Sequence, residues 1–100
     1  MADKPTTFIN VLDVDPERQQ ELVELLIDGA NQVMRHRPGF VRLTILASLD
    51  GTRVVNHAQW RSAADVKATQ SDPAAAGYAQ RTAAIANASP GLYRVAAEIS

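Results

Sequence analysis

Apolar and polar side chains alternate along four stretches of the chain, with the two-residue period of a strand that buries one face. Three of them, 6–14, 40–49 and 52–60, lie in the first two thirds of the sequence, and the fourth covers 92–99. An Asp-Gly dipeptide at 50–51 separates the second from the third and predicts a two-residue type I′ turn. The pattern therefore predicts four strands, two of which form a hairpin.

The segments between the strands carry helical spacing instead. After the first strand, 15–37 begins with an Asp-Pro pair suited to a helix start and ends before a Pro-Gly pair. Ser62 opens a capping box for a short helix to about Gln70. A second, alanine-rich helix begins at Pro73 and ends near Asn87, before the Ser-Pro-Gly at 89–91.

The order of predicted elements is β-α-β-β-α-β, which is the ferredoxin-like pattern of an α+β domain. Its antiparallel sheet carries the helices on one face. The 100 residues predict one domain, 1–100, because this length suits a single hydrophobic core. No repeat or linker interrupts the pattern.

Composition narrows the possible partners. A net charge of −1 and a pI near 6.0 do not favour nucleic acid or an anionic membrane as partner. The chain has no Cys and only His36 and His57, so the sequence predicts no disulfide and no metal site. The start of the chain lacks the apolar run of a signal peptide, and a cytoplasmic location is expected.

Chemistry-bearing side chains fall on the face that the helices should cover. Counting outward from the turn pairs Ile45 with Asn56 and Val41 with Trp60, and opposed residues share a face. Asn10 lies on the corresponding face of the first strand. Two interpretations remain open: the amides satisfy neighbouring backbone groups inside a core, or they line a pocket.

Other residues bear on this choice. The alanine-rich helix fills little volume, which favours a pocket. Tyr93 is expected on the same face of the last strand, and Tyr78 and Arg81 could lie at the pocket mouth. On the opposite, mixed face, apolar residues stand among polar ones. This composition fits either a solvated surface or a homodimer interface between two sheets.

The segment 38–62, PGFVRLTILASLDGTRVVNHAQWRS, resembles the antibiotic biosynthesis monooxygenase family. The likeness is to cofactor-independent anthrone oxygenases of aromatic polyketide pathways, through the PGF, the DGT hairpin and the N-x-x-x-W strand. It implies a homodimeric, ferredoxin-like α+β barrel with a cavity between sheet and helices. Asn56 and Trp60 match the family residues that contact the substrate oxygen, and Asn10 matches an Asn used by some members.

The resemblance also implies a reaction. O₂ oxidises an anthrone-like aromatic substrate to a quinone without flavin, haem or metal, because the substrate itself supplies the electrons. Some members place a Tyr where this chain has Val66, and their helix Arg has no in-register match, although Arg81 lies nearby. No carboxylate or His is expected beside the amides, so the base is expected to be water, with or without Asn10.

Two alternatives to this function come from different classes. A haem-degrading monooxygenase of the same fold would need a His on the helix after the Trp strand, and 62–88 contains none. A non-enzymatic, dimeric small-molecule-binding barrel would need the pocket but no oxygen chemistry. The substrate-binding set expected under the preferred interpretation is Tyr78, Arg81 and Tyr93, beside catalytic Asn10, Asn56 and Trp60.

Overall fold

A computed structural model of the chain describes residues 5–100 and gives the bounds of each strand and helix. Short 3₁₀ turns at Pro16–Arg18 and Met34–His36 flank the first helix. The elements are β1 (Thr6–Val14), α1 (Gln19–Gln32), β2 (Phe40–Ala47), β3 (Arg53–Trp60), α2 (Ala63–Gln70), α3 (Pro73–Ala83) and β4 (Ala86–Tyr93).

The four strands form one antiparallel sheet in the order β2-β3-β1-β4. The helices lie against one of its faces, and this arrangement confirms the predicted ferredoxin-like α+β fold. The single domain predicted over 1–100 stays a prediction, since its first four residues lie outside the described part. Among residues 5–100, no helix combines the length and the apolar character that crossing a membrane requires.

The predicted capping residues cap α2 and α3, whereas the Asp-Pro pair at 15–16 starts a 3₁₀ turn and α1 itself begins at Gln19. Asp15 accepts a hydrogen bond from the Glu17 N–H at 3.0 Å, at the 3₁₀ turn that leads into α1. Ser62 accepts from the Asp65 N–H at 3.2 Å at the start of α2. Asp72 caps α3 in the same way and precedes Pro73. Each cap satisfies amides that the first turn of a helix leaves without an intrahelical partner.

The hairpin loop differs from the predicted type I′ turn. That turn needs a positive φ at both central residues, whereas among the described residues only glycines have one. Instead, the Gly51 N–H donates to the Ser48 carbonyl at 3.1 Å, and Gly51 takes the left-handed conformation at φ 82°. Asp50 stabilises the loop by accepting from the Thr52 N–H at 3.0 Å. Leu49, the last residue of the strand predicted over 40–49, lies outside β2 and is fully exposed at the loop tip.

A β-bulge in β2 corrects a second expectation. The pairing with β3 shifts between Phe40 and Arg42, so Phe40, not Val41, lies opposite Trp60. Val41 is displaced from the apolar face and is half exposed, at 51%. Such an extra residue in one strand cannot be read from alternation alone, because the alternation continues on either side of it.

The last strand is also placed differently from the sequence-based prediction. β4 spans Ala86–Tyr93 instead of 92–99, and α3 ends at Ala83 instead of near residue 87. Ser-Pro-Gly, interpreted as a breaker, lies inside the strand, with Pro90 opposite Asn10. An edge strand tolerates Pro because only one of its sides is paired. Residues 94–100 follow outside the sheet and are exposed.

Two apolar clusters fill the space between sheet and helices at opposite ends of β3. The first, here called the filled end, consists of Leu12, Val14, Leu22 and Val54, with Leu26 and Ile45 packed against it. The second, here called the cavity end, consists of Ala58, Trp60 and Val66, with Phe8, Phe40 and Leu43 beside it.

Gly39, in the turn between α1 and β2, meets two requirements at once. Its φ of +85° is one that side-chain-bearing residues rarely adopt. A Cβ built on it would also collide with the carboxylate of Asp65, in the first turn of α2. Its carbonyl accepts from the Arg61 N–H at 2.8 Å. The glycine thus lets the start of α2 and the end of β3 close on this turn.

Candidate active site

A cavity of about 500 Å³ lies between the helix layer and the sheet, beside the cavity end. This volume lies within the range of small-molecule sites, about 300–1,000 Å³. The sheet contributes Phe8, Asn10, Leu43, Asn56, Ala58 and Trp60. The helix layer contributes Leu25, Leu26, Gly29 and Ala30 from α1, Met34 from the 3₁₀ turn after it, and Ala75, Ala76, Tyr78 and Ala79 from α3, among others.

The cavity exists because α3 brings little side-chain volume to the helix layer. Three of its alanines face the space, and Tyr78 is its one aromatic residue there. α1 adds Gly29 and Ala30 at the same level. Protein interiors are otherwise packed as densely as organic crystals. The small side chains of these two helices, and not loose packing in general, therefore account for an opening of this size.

Asn10 and Asn56 stand side by side at the floor of the cavity. They are direct cross-strand partners in β1 and β3, a position that places Cβ atoms roughly 4.5–5.5 Å apart. The predicted pairing of Ile45 with Asn56 is confirmed, and both amides lie on the helix-covered face. The Asn10 Oδ1 accepts from the Ser89 N–H of β4 at 3.1 Å, which fixes the orientation of that amide.

Asn56 differs from Asn10 in its hydrogen bonding. Its Oδ1 is buried, and among residues 5–100 it is the one buried side-chain N or O atom that lacks a hydrogen-bond partner. Leaving such a group unpaired costs about 1–3 kcal/mol. A polar atom of this kind on a cavity wall is suited to a donor from a bound molecule or water, because the protein itself supplies none.

Trp60 lines the same cavity as these amides and is held firmly in place. Only 4% of its surface is exposed, and its ring meets the Phe40 ring edge to face, with centroids 5.5 Å apart. Edge-to-face pairs add about 0.5–1.5 kcal/mol beyond their buried area. Val66, at the position where some family members carry a Tyr, belongs to the same cluster and lines the cavity. The indole is therefore a fixed wall with an N–H donor.

The two residues expected at the pocket mouth, Tyr78 and Arg81, lie together on α3. Tyr78 lines the cavity, and its hydroxyl donates to the Asp28 Oδ2 of α1 at 2.6 Å. This hydrogen bond raises the pKa of Tyr78, because ionisation would break it and set two negative charges together. The Arg81 guanidinium lies over the tyrosine ring, 4.2 Å from its centroid, and is not itself part of the lining.

Tyr93 is not part of this group, and its predicted position on the helix-covered face is wrong. It pairs with Thr7, so it lies on the opposite face of the sheet, and it is 51% exposed. The displaced boundaries of β4 explain the error. Sequence reasoning also missed Asp28 and the close approach of Gly29 to the Tyr78 ring. The signal for Gly29 was its helical spacing with the leucines of α1.

The described part of the cavity lining is electrically neutral. It contains amides, hydroxyls, an indole and apolar groups, but no carboxylate, imidazole or cationic side chain. His57 pairs with Ile9 on the other face of the sheet. The low polarity strengthens any hydrogen bond that a bound molecule makes to the amides or the indole.

Comparison with known proteins gives a consistent result. Residues 5–81 match the model of the antibiotic biosynthesis monooxygenase family. Over 67 residues the chain is 49% identical to the tetracenomycin-F1 monooxygenase of Streptomyces glaucescens, a match that covers 67% of the chain. The chain spans 60% of the length of that curated relative.

Solved structures share the fold. A variant of SnoaB, a cofactor-independent oxygenase from Streptomyces nogalater, superposes with a TM-score of 0.84 at 23% identity, covering 96% of this chain and 97% of that one. Rv0793 from Mycobacterium tuberculosis gives 0.81 at 18% identity, covering 97% of this chain and 100% of that one.

Proposed function

Because the chain belongs to the antibiotic biosynthesis monooxygenase family, we propose that it is a cofactor-independent monooxygenase acting on an anthrone-like aromatic polyketide. The observation that carries the proposal is the apolar, neutral cavity that both Trp60 and the unpartnered Oδ1 of Asn56 line. The name of the Streptomyces glaucescens relative, a tetracenomycin-F1 monooxygenase, supports the polyketide substrate class. O₂ is the co-substrate.

The overall reaction balances without another reductant. The substrate CH₂ group and O₂ give C=O and H₂O, so the ring carbon is oxidised and O₂ is reduced. Loss of one proton first gives a delocalised enolate. The enolate passes an electron to O₂, the two radicals join as a peroxide at that carbon, and proton uptake by the peroxide precedes loss of water.

The protein contributes by favouring the enolate. We propose that Asn56 and Trp60 hold the substrate by its oxygens, with the indole N–H and the Asn56 Nδ2 as donors to the enolate oxygen. The unpartnered Asn56 Oδ1 accepts from a neighbouring substrate hydroxyl. The apolar walls exclude water and so strengthen these contacts. Asn10, oriented by Ser89, is placed to hold the water that takes the proton.

Oxygen uptake with a model anthrone tests the assignment. Asn56→Ala is expected to lower kcat by roughly 10²–10³, the usual cost of losing one oxyanion donor. Trp60→Phe keeps the ring and loses the N–H, with a loss of roughly tenfold because the amide still donates. Asn87→Ala, an exposed amide of β4, is the matched control and should retain full activity.

The melting temperature separates this function from a structural role. Asn56→Ala removes an unpartnered buried oxygen and is expected to leave the melting temperature unchanged or higher. A variant with full turnover and a lowered melting temperature would show that the amide serves packing. Wild-type protein that binds anthrones but consumes no oxygen would favour the non-enzymatic binding barrel.

We also propose that the protein is a homodimer joined through the sheet face that carries no helices. Ile9, Val11 and Val55 lie there half-buried, and Leu46 is 51% exposed. Light scattering is expected to give twice the 10.8 kDa of the chain. Leu46→Lys should shift the mass to that of one chain, whereas Leu49→Lys at the hairpin tip should not. A monomeric wild type at micromolar concentration would contradict the proposal.

A further inference from the structure

Tyr78 is the largest side chain among the residues of α3 that line the cavity, since the others there are alanines, a glutamine and a threonine. Its ring is in contact with the cavity, while its hydroxyl reaches α1. Any movement of this ring changes the width of the cavity more than a movement of the neighbouring alanines would.

The ring is held from three sides. Its hydroxyl donates to Asp28 at 2.6 Å, the one side-chain hydrogen bond between α1 and α3 among the described residues. Beneath the ring lies Gly29, where an added Cβ would come within 3.1 Å of the Tyr78 Cδ1 and 3.2 Å of its Cγ. The Arg81 guanidinium covers its face at 4.2 Å. A side chain restrained in this way acts as a fixed wall.

We propose that Asp28 and Gly29 are positioning residues that hold Tyr78 as the wall that sets the breadth of planar aromatic ligand the cavity accepts. The inference rests on the proposed function, since it deepens the substrate class of the same cavity. Asp28 acts through the tyrosine hydroxyl, and Gly29 acts by leaving room for the ring. Neither residue touches the reacting atoms.

Ligand binding tests the inference separately from oxygen chemistry. Trp60 is the chain's one tryptophan and lines the cavity, so quenching of its fluorescence reports occupancy. The probes are quinones, which cannot be oxidised further in this reaction: emodin, with three fused rings, and a hydroxylated naphthacenequinone, with four. The ratio of their two Kd values measures selectivity for breadth.

Asp28→Ala releases the hydroxyl and is expected to weaken emodin binding roughly three- to tenfold, the usual range for one hydrogen bond. The four-ring probe should lose less, because a mobile ring makes room for it. Asp28→Asn keeps an acceptor oxygen and should restore both Kd values to within about twofold of the wild type. In oxygen uptake, Asp28→Ala should raise KM for a three-ring anthrone and leave kcat unchanged, as expected for a positioning residue.

Gly29→Ala tests the same wall without changing a polar group. The added methyl must push the ring by a few tenths of an ångström, and the ratio of Kd values is expected to change at least threefold. Gly77→Ala, on α3 beside Tyr78, is the matched control, because nothing lies within 4 Å of its added Cβ. If Gly29→Ala fails to fold, the comparison of Asp28→Ala with Asp28→Asn tests the inference alone.

Wild-type Kd values for both probes in Asp28→Ala would overturn the inference. So would an Asp28→Asn variant as weak as Asp28→Ala, since the acceptor would then be irrelevant. Wild-type protein that binds the quinones but takes up no oxygen with anthrones would refute the proposed function and leave the Kd ratios to decide this inference. Wild-type protein that binds neither quinone would refute both.

Discussion

The filled end and the cavity end lie between the same sheet face and the same helix layer, yet one is solid and the other hollow. At the filled end, α1 places Leu22 against Leu12 and Val54, and all three are fully buried. At the cavity end, the same helix presents Gly29 beneath an alanine-rich α3. Side-chain volume on the covering helices, and not the topology of the sheet, therefore decides where this fold packs and where it opens.

Leu22→Ala should break the filled end and has the largest effect we expect. Truncating a fully buried leucine lowers the free energy of unfolding by about 2–5 kcal/mol, through lost transfer energy and a residual cavity. Urea titration measures the loss, and emodin binding to the protein that remains folded should be unchanged. A weakened Kd without a stability loss would show that the two ends are not independent.

Ala76→Leu should make the cavity end resemble the filled end. The larger side chain projects into the opening, so emodin binding should fall more than tenfold while the free energy of unfolding rises by about 1 kcal/mol, from added apolar burial. Ala74→Leu, exposed on the same helix, is the control for helix propensity. Unchanged binding in Ala76→Leu would mean that the probe occupies another site.

Acid should weaken the hairpin loop at the filled end, where the Thr52 carbonyl accepts from the Val14 N–H at 3.0 Å. The Thr52 backbone N–H, the Thr52 hydroxyl and the Ser48 hydroxyl together lower the pKa of Asp50 to about 2. A depressed pKa stabilises the fold above the unfolded value, near 4, and this contribution is lost as pH falls through about 2.

The urea midpoint of the wild type should therefore fall more between pH 4 and pH 2 than that of Asp50→Asn, which has no titrating group there. The effect is the smallest of the three because the carboxylate is exposed to solvent. Identical pH dependence in the two proteins would show that the charge of Asp50 does not contribute to stability.

Most of the fold could be predicted from local patterns. β1 and the capped start of α2 coincide with their predicted bounds, and β3 begins one residue later than predicted, because alternation and capping are properties of neighbouring residues. The bounds of β4 could not be predicted, because its sequence, ANASPGLY, has weak strand propensity. Pairing with β1 holds this segment in the sheet. The more strand-like segment that follows lies outside the sheet. Tertiary pairing outweighed local preference here.

The candidate site could be predicted where it depends on the alternation of side chains along a strand. Asn10, Asn56 and Trp60 share a face because strands alternate, and the structure places all three on the cavity wall. The hydrogen bond between Tyr78 and Asp28 joins residues 50 positions apart. No periodicity links such positions, so only the packing of α3 on α1 could reveal it.

Gly39 has a consequence for how this sequence can vary over time. Its backbone angle strains any residue with a side chain, and the Asp65 carboxylate occupies the space that a Cβ would need. Shortening Asp65 would remove the second barrier but not the first, and would also remove a hydrogen bond that the Ser62 hydroxyl donates. Because no single replacement at either position removes both constraints, we expect this turn to tolerate fewer substitutions than the alanine positions of α3 that line the cavity.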